Sequence, residues 1–540
     1  MVEPYDTCGR RSQDRAGPTL ALKSRLKLLT KRFPSLETST LSQPPAQSQY
    51  HSDPASMPEA TTMAATLLQS INHIVVVMLE NRSFDHMLGL LYADRGNVSP
   101  SGQPFEGLKG TEAIPGAKGG QVKVFRILPT SPHPYFMPGA DPGEGYLNTN
   151  WQLFGAEQAP VPLVPATNQG FVTNFGSTLA WESKQPGYVM PGTTASQIMG
   201  MYVPQTLPIL SNLASGYAVC DHWYASVPTE TFPNRAFMAM ATSQGFVQDE
   251  SRNVYTAPSI YTLLAKSGKT WSVFGYDAPP LSRGSVADIT SAPPANFGLF
   301  TDFQAAAQAG TLASYVFLEP SWGASGNSQH PNYDVSKGEQ FLHDVYYALR
   351  NSPLWQQTLL IITYDEHGGC YDHVAPPETA VAPDNSVGEL GFDFRRFGLR
   401  VPTVLISPLI AAGTVYRTAG STPFDHTSIL ATVEKRFGLS SLTRRDAAAP
   451  DVAGVLTLAQ ARQDDPLSGI RVPSSTAAPK PPPGPDHLQQ ALAESAALLP
   501  VSDTAGPGYH HEMPKFHTGQ DAMNYVRARY LAYDKKLRSS

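Results

Sequence analysis

Leu359-Leu360-Ile361-Ile362-Thr363-Tyr364-Asp365-Glu366-His367-Gly368-Gly369 is a continuous apolar run, rich in β-branched residues, that stops at two acids, a His and two Gly. A run of this kind, without alternation, predicts a strand buried on both faces with helices above and below. Its carboxyl end is where an open α/β sheet keeps its ligand crevice. Two neighbouring carboxylates repel each other there, and a site that keeps both ionised usually holds a cation between them. The two glycines let the chain turn sharply without crowding whatever is bound. A solvated acidic turn would give the same dipeptide, so the rest of the chain has to separate the two readings.

Residues 71–79 (INHIVVVML) form a second run of the same kind, and it too ends in a polar cluster, Glu80-Asn81-Arg82-Ser83-Phe84-Asp85-His86. Two buried strands that both stop at acids point to a shared site. Further apolar runs at 271–276, 315–318 and 401–406 alternate with helical patterns at 207–213, 236–243, 338–350 and 429–437. That alternation describes an α/β enzyme built as a three-layer α/β/α sandwich. Residues 92–200 are rich in Gly, Pro and Asn and predict loops and short strands over the site. Within them Asp141-Pro142-Gly143-Glu144-Gly145 is a turn whose Glu144 either faces solvent or points inward.

Thr231-Phe232-Pro233-Asn234-Arg235 opens a helical pattern. A hydroxyl just before a helix is ordinarily an N-cap. The same geometry serves catalysis, because free N–H groups and a positive dipole end suit a phosphoryl group under attack by that hydroxyl. Asn234 and Arg235 then lie in the first turn, where they can donate to phosphate oxygens, although Arg235 can equally be structural. Asp425, before the helical run 429–437, reads as a capping residue. His330 stands in a loop with Pro331 and is a candidate proton donor.

The chain has 540 residues, 41% hydrophobic and 16% charged, with a formal net charge of −6. That balance supplies no basic field for nucleic acid. Cys8, Cys220 and Cys370 are too few and too scattered for a disulfide framework or a thiolate metal site, and Cys370 reads as a packed thiol. Residues 1–66 read as a disordered leader with no signal-peptide pattern and no membrane span. A basic amphipathic stretch at 20–33 within it suits either a disordered segment or an interfacial helix. Residues 67–475 form the catalytic domain. Residues 476–540 hold a Pro-rich linker and a C-terminal helical tail that packs on the body, covers the site or mediates oligomerisation.

The stretches at 80–86, 231–235, Glu319-Pro320 with His330-Pro331, and 363–374 (TYDEHGGCYDHV) together resemble the phosphoesterase family. That family holds bacterial phosphatidylcholine-hydrolysing phospholipases C, plant non-specific phospholipases C and certain acid phosphatases. The resemblance covers roughly residues 71–440, with the motifs in the family's order. It implies an alkaline-phosphatase-like fold and a metal-dependent phosphoester hydrolase with a covalent phospho-enzyme. In this reading Glu80 and Asn81 bind metal or phosphate, Asp365 and Glu366 bind metal, Thr231 is the nucleophile, and His330 contacts phosphoryl or leaving-group oxygens. Substrate is a phospholipid approached at a membrane surface, or a small soluble phosphomonoester in the alternative of an acid phosphatase. Many members have His where this chain has Glu144, and a carboxylate there instead suits another metal or a cationic choline head group. Oxygen-dominated ligands favour Ca²⁺, Mg²⁺ or Mn²⁺ over zinc. Family members are often exported.

Overall fold

A computed structural model describes residues 57–184, 189–249, 255–322, 326–331, 333–475, 484–501 and 513–539. Cys8, the 20–33 stretch and the 480–483 prolines lie outside the described residues. Ala55–Ser540 forms one compact unit.

The expected buried strands form the middle of an eight-stranded sheet. Across it the strands run Thr414–Val415, Ala218–Cys220, Thr403–Ile406, Thr358–Tyr364, His73–Leu79, Tyr315–Leu318, Trp271–Gly275 and Phe297–Leu299. His73–Leu79 pairs in parallel with Thr358–Tyr364 on one side and Tyr315–Leu318 on the other. Thr403–Ile406 is antiparallel to both its neighbours, so the sheet is mixed. Every residue of Thr358–Tyr364 is buried, and so is His73–Leu79 apart from its first residue. Burial on both faces explains the unbroken Val/Ile/Leu composition. Each such side chain contributes roughly 1.5–3 kcal/mol relative to exposure.

Helices cover the sheet in two packed groups: Pro208–Gly216, Phe300–Ala309 and Val335–Arg350 in one, Thr231–Met240, Ile260–Lys266 and His426–Phe437 in the other. This is the expected three-layer α/β/α arrangement. Leu79 is in register with Tyr364, so the polar clusters that follow them emerge side by side at one sheet edge.

Two stretches differ from the expectation, and in a third, the C-terminal tail, one of its alternatives, packing on the body, is what forms. Residues 57–66, assigned by composition to a disordered leader, belong to a helix, Met57–Ser70. Its Ala, Met, Leu and Glu content favours helix, and Leu68 and the following Ile71 enter the core. Residues 92–200 hold two helices, Tyr146–Phe154 and Phe171–Glu182, besides short strands. Phe171, Phe175, Leu153 and Met199 give that region a small core of its own. The C-terminal helices His487–Ala497 and Gly519–Ser539 pack on each other, and Leu492, Ala496, Val526 and Tyr530 join the main core. No helix among the described residues is long and apolar enough to cross a membrane.

Candidate active site

Asn81 is the hub of the sheet edge. It follows the His73–Leu79 strand with φ +56°, a left-handed conformation that Asn tolerates. Its backbone N–H donates to Asp365 Oδ1 at 2.9 Å, its side-chain Nδ2 donates to Glu144 Oε2, and its Oδ1 accepts the Thr231 hydroxyl at 3.2 Å. One residue thus joins three that lie far apart in sequence. Gly368 permits this closeness, because a Cβ there would fall 1.9 Å from the Asn81 carbonyl oxygen. Gly369 likewise makes room for the Gly143 carbonyl.

Thr231 is the first residue of the helix Thr231–Met240, one position later than an N-cap. Glu230 takes the capping position without a side-chain capping bond. The Thr231 hydroxyl is therefore not tied to its own helix and reaches Asn81 instead. Asp249 Oδ1 accepts the next helical N–H, that of Phe232, at 2.9 Å.

Asn234 faces the other way. Its Oδ1 accepts Val227 N–H, and its Nδ2 donates to the carbonyls of Val227, Thr229 and Glu230. The amide holds the 227–230 loop that carries Thr231 and has no donor left for a phosphate.

Arg235 lies across the acids. Its Nε donates to Asp365 Oδ2 at 2.9 Å, and Trp322 stacks 4.6 Å from its guanidinium carbon. Asp365 also accepts the Asn81 and Glu366 N–H groups, so each of its oxygens is occupied. Its neighbours are not. Both Glu80 oxygens and Glu366 Oε1 are fully buried without a hydrogen bond of ordinary geometry, the Ser328 hydroxyl acting on Glu80 from beyond that range. Burial first, then the Asp365 charge, pushes Glu80 well above the carboxylate range. Burial followed by Glu144 and Asp365 does the same to Glu366, and burial with Asp141 and Glu230 to Glu144.

Glu366 Oε2 accepts Gly368 N–H at 2.8 Å and meets His367 Nδ1 at 2.9 Å. His367 Nε2 points at Gln152 Oε1, whose own amide nitrogen donates elsewhere, so this ring nitrogen carries a proton. Burial lowers His367 to about 3, which keeps the ring neutral. One proton must then sit between His367 Nδ1 and Glu366.

His330 is 5% exposed, and its Nδ1 faces the Pro331 carbonyl at 2.8 Å. A carbonyl only accepts, so Nδ1 bears a hydrogen, and Nε2 stands 3.9 Å from Asp141 Oδ1. The ligand atoms of His330, Asp141 and Glu144 lie within 4.8 Å of one another, which brings Glu144 inward as one reading of the 141–145 turn had it. Glu80, Asp365 and Glu366 do not form so tight a group; among the described residues the other is Asp85, Asp372 and His373. Arg400 penetrates that second cluster, donating to Asp85 at 2.8 Å and Asp372 at 3.0 Å.

Unsatisfied buried carboxylates are costly, and a cation is the ordinary remedy. Glu80, Glu366, Asn81 and Thr231 offer oxygen atoms, so the site fits a divalent metal ion. Sequence reasoning missed Asp249 and Trp322. No local signal marks Asp249, whose partner is on another element.

A profile of the phosphoesterase family matches residues 71–440. The non-specific phospholipase C6 of Arabidopsis thaliana is 33% identical over 85% of this chain and 86% of its own. Non-specific phospholipase C1 of the same plant is 35% identical over 70% and 69%. Phospholipase C A of Mycobacterium tuberculosis is 29% identical over 69% and 74%. A solved alkaline-phosphatase-superfamily protein from Vibrio parahaemolyticus aligns with 45% of this chain and 64% of its own at 15% identity, with a TM-score of 0.27, too loose to carry an argument.

Proposed function

The chain belongs to the phosphoesterase family, and from that premise we propose that it is a phospholipase C, cleaving phosphatidylcholine-type glycerophospholipids to diacylglycerol and a phosphorylated head group. The observation that carries the reading is the uncapped Thr231 hydroxyl, held on Asn81 at a helix N-terminus beside buried acids with unfilled oxygens.

Glu80, Asn81 and Glu366 would hold a divalent cation, Ca²⁺, Mg²⁺ or Mn²⁺ rather than zinc, while Asp365, read from the sequence as a fourth ligand, has both oxygens taken by Arg235 and by the Asn81 and Glu366 N–H groups. Such an ion supplies Lewis-acid charge that lowers a nearby hydroxyl's pKa and polarises a phosphoryl group. Thr231 Oγ loses its proton to solvent and attacks phosphorus in line with the glycerol oxygen; the new O–P bond forms as the old one breaks. The first N–H groups of the helix stabilise charge on the equatorial oxygens. Asn81 orients the hydroxyl, and Asn234 fixes the loop on which Thr231 sits. His330, protonated at Nε2, gives that proton to the departing alkoxide, then takes one from the water that hydrolyses the phosphothreonine. Glu144 accepts the Asn81 amide, and a choline ammonium beside it would favour its ionised form, which burial and the neighbouring acids otherwise oppose.

The test is hydrolysis of phosphatidylcholine and an aryl phosphate side by side, with Thr231→Ala and a chelated sample as controls. Diacylglycerol and phosphocholine that disappear in both controls are expected. Turnover of the aryl ester alone would move the assignment to a phosphomonoesterase, and activity that survives Thr231→Ala would exclude the covalent route.

A further inference from the structure

We propose that the face formed by residues 146–164 and 378–396 is where the protein seats on a bilayer of zwitterionic phospholipid. The inference rests on the phospholipase reading above and names the surface on which that enzyme meets its substrate.

The two most exposed large apolar side chains among the described residues stand on this face. Val161 is 97% exposed and Val387 93%, while the next, Leu531 on the C-terminal helix, is 71% exposed. A lone exposed apolar side chain is ordinary, but these two have apolar company. Val161, Leu147, Leu163 and Leu390 line one groove of about 650 Å³ together with Arg395 and Arg396. Val387 lines the adjoining hollow, which shares Arg395 and Phe392 with that groove. Pro160 and Pro162 flank Val161 and restrict the backbone that presents it, so little further entropy is lost on docking.

The charges on this face select the partner. Arg395 and Arg396 share the groove with Glu157, Glu378 and Asp393. Both signs are present in near balance, which matches the phosphates and ammonium groups of a zwitterionic surface and gives no field for an acidic one. Arg395 is largely exposed and stands 3.9 Å from Asp393, so that pair holds it weakly. Arg396 is buried. Its Nη2 donates to the Tyr146 hydroxyl and to Asn150 Oδ1, both at 3.0 Å, and its Nη1 has no hydrogen-bond partner at the groove wall. A buried guanidinium N–H without an acceptor is costly, and a lipid phosphate entering the groove supplies one.

Packing joins the face to the site. Tyr146 and Phe392 cluster with Val227 and Phe237, which precede and follow Thr231 in the chain. Tyr146 also opens the helix that begins just after Glu144 and Gly145. A bilayer seated here rests on the elements that carry the proposed nucleophile and Glu144.

The experiment uses the full chain, with Val161→Asp and Val387→Asp combined and Leu531→Asp as a control elsewhere on the surface. All three side chains lie in solvent, where a charge is tolerated. Binding is read by flotation with phosphatidylcholine vesicles on a Thr231→Ala background, which spares the lipid. Turnover is read with Thr231 present, on the same vesicles and on dibutyroyl-phosphatidylcholine dissolved as monomers. The valine pair is expected to bind vesicles about tenfold more weakly and to hydrolyse them more slowly by a similar factor, with monomer turnover unchanged. Leu531→Asp should match wild type throughout. Undiminished vesicle binding by the valine pair, or an equal loss in Leu531→Asp, overturns the proposal. So does wild-type binding that requires phosphatidylserine and vanishes at high salt, or a dimer in sedimentation that the valine pair splits, which would give the face to a second copy. A protein that binds phosphatidylcholine vesicles through these valines but hydrolyses neither form of the lipid overturns the phospholipase reading and leaves the docking face standing.

Discussion

The stretches 80–86 and 363–374 each divide between two buried acidic clusters that differ in one respect. Their first halves supply Glu80, Asp365 and Glu366 to the site, and their second halves supply Asp85, Asp372 and His373 to a cluster next to Phe84. In the second cluster the protein provides its own cation. Arg400 is fully buried, donates to both aspartates and to the carbonyls of Glu106 and Asp221, and lies 4.5 Å over the Phe84 ring. Burial alone would raise both aspartates; Arg400 and His373 bring Asp85 below the carboxylate range, while Asp372, burial outweighing Arg400, is raised only to about 6. In the first cluster Arg235 reaches Asp365, while Glu80 and Glu366 keep unfilled oxygens and stay raised. Like sets of acids form a closed clamp or keep unfilled oxygens, as the proposed ligand site requires, according to how far a guanidinium fills the space between them.

The contrast can be broken by substitution. Glu366→Gln should reduce phosphoester turnover by roughly 10³-fold, as expected when a carboxylate serving a metal is lost, with its melting temperature preserved; steady-state kinetics checks this. Arg400→Met should do the reverse. It leaves two buried aspartates with His373 as their remaining counter-charge and should cost about 3–5 kcal/mol in urea unfolding, with turnover per folded molecule maintained.

His373 sharpens the clamp side. Burial opposes its charge, yet Asp85 at 2.6 Å outweighs this and raises the ring to about 8 from 6.5. A raised folded-state pKa means that the stabilisation is complete below about pH 6.5 and is lost as pH climbs through 8. His373→Gln should flatten a stability difference of about 1–2 kcal/mol across that window, read from unfolding at pH 6 and pH 9. The smallest effect falls on the other cluster. Without added metal, Glu80→Gln should leave stability unchanged or raise it by about 1 kcal/mol, since a neutral amide replaces a carboxyl whose charge burial and Asp365 oppose.

The strands were legible because burial on both faces leaves an unbroken apolar run, and their polar ends placed Glu80, Asn81, Asp365 and Glu366 at one edge. Asp425 was legible for the same local reason: its carboxylate accepts Thr427 N–H as a helix cap. Thr231 was legible as a helix-start hydroxyl, but its release from capping depends on Asn81, which is distant in sequence. Asn234 was misjudged in direction, because its amide turns back to the preceding loop. Arg400, Trp322 and Asp249 act through tertiary contacts alone, and nothing beside them in the chain marks the partner. The division of each motif into a site half and a clamp half is of this second kind.

The most direct test of the contrast is calorimetric titration of Ca²⁺, Mg²⁺ and Mn²⁺ into the metal-stripped wild type, Glu80→Gln and Asp372→Asn. Binding to the wild type should release protons, because the raised glutamates must ionise to take the ion, and should weaken as pH falls. Glu80→Gln should abolish binding, and Asp372→Asn should retain it. No binding to the wild type, or binding lost in Asp372→Asn and kept in Glu80→Gln, would contradict the assignment of the two clusters.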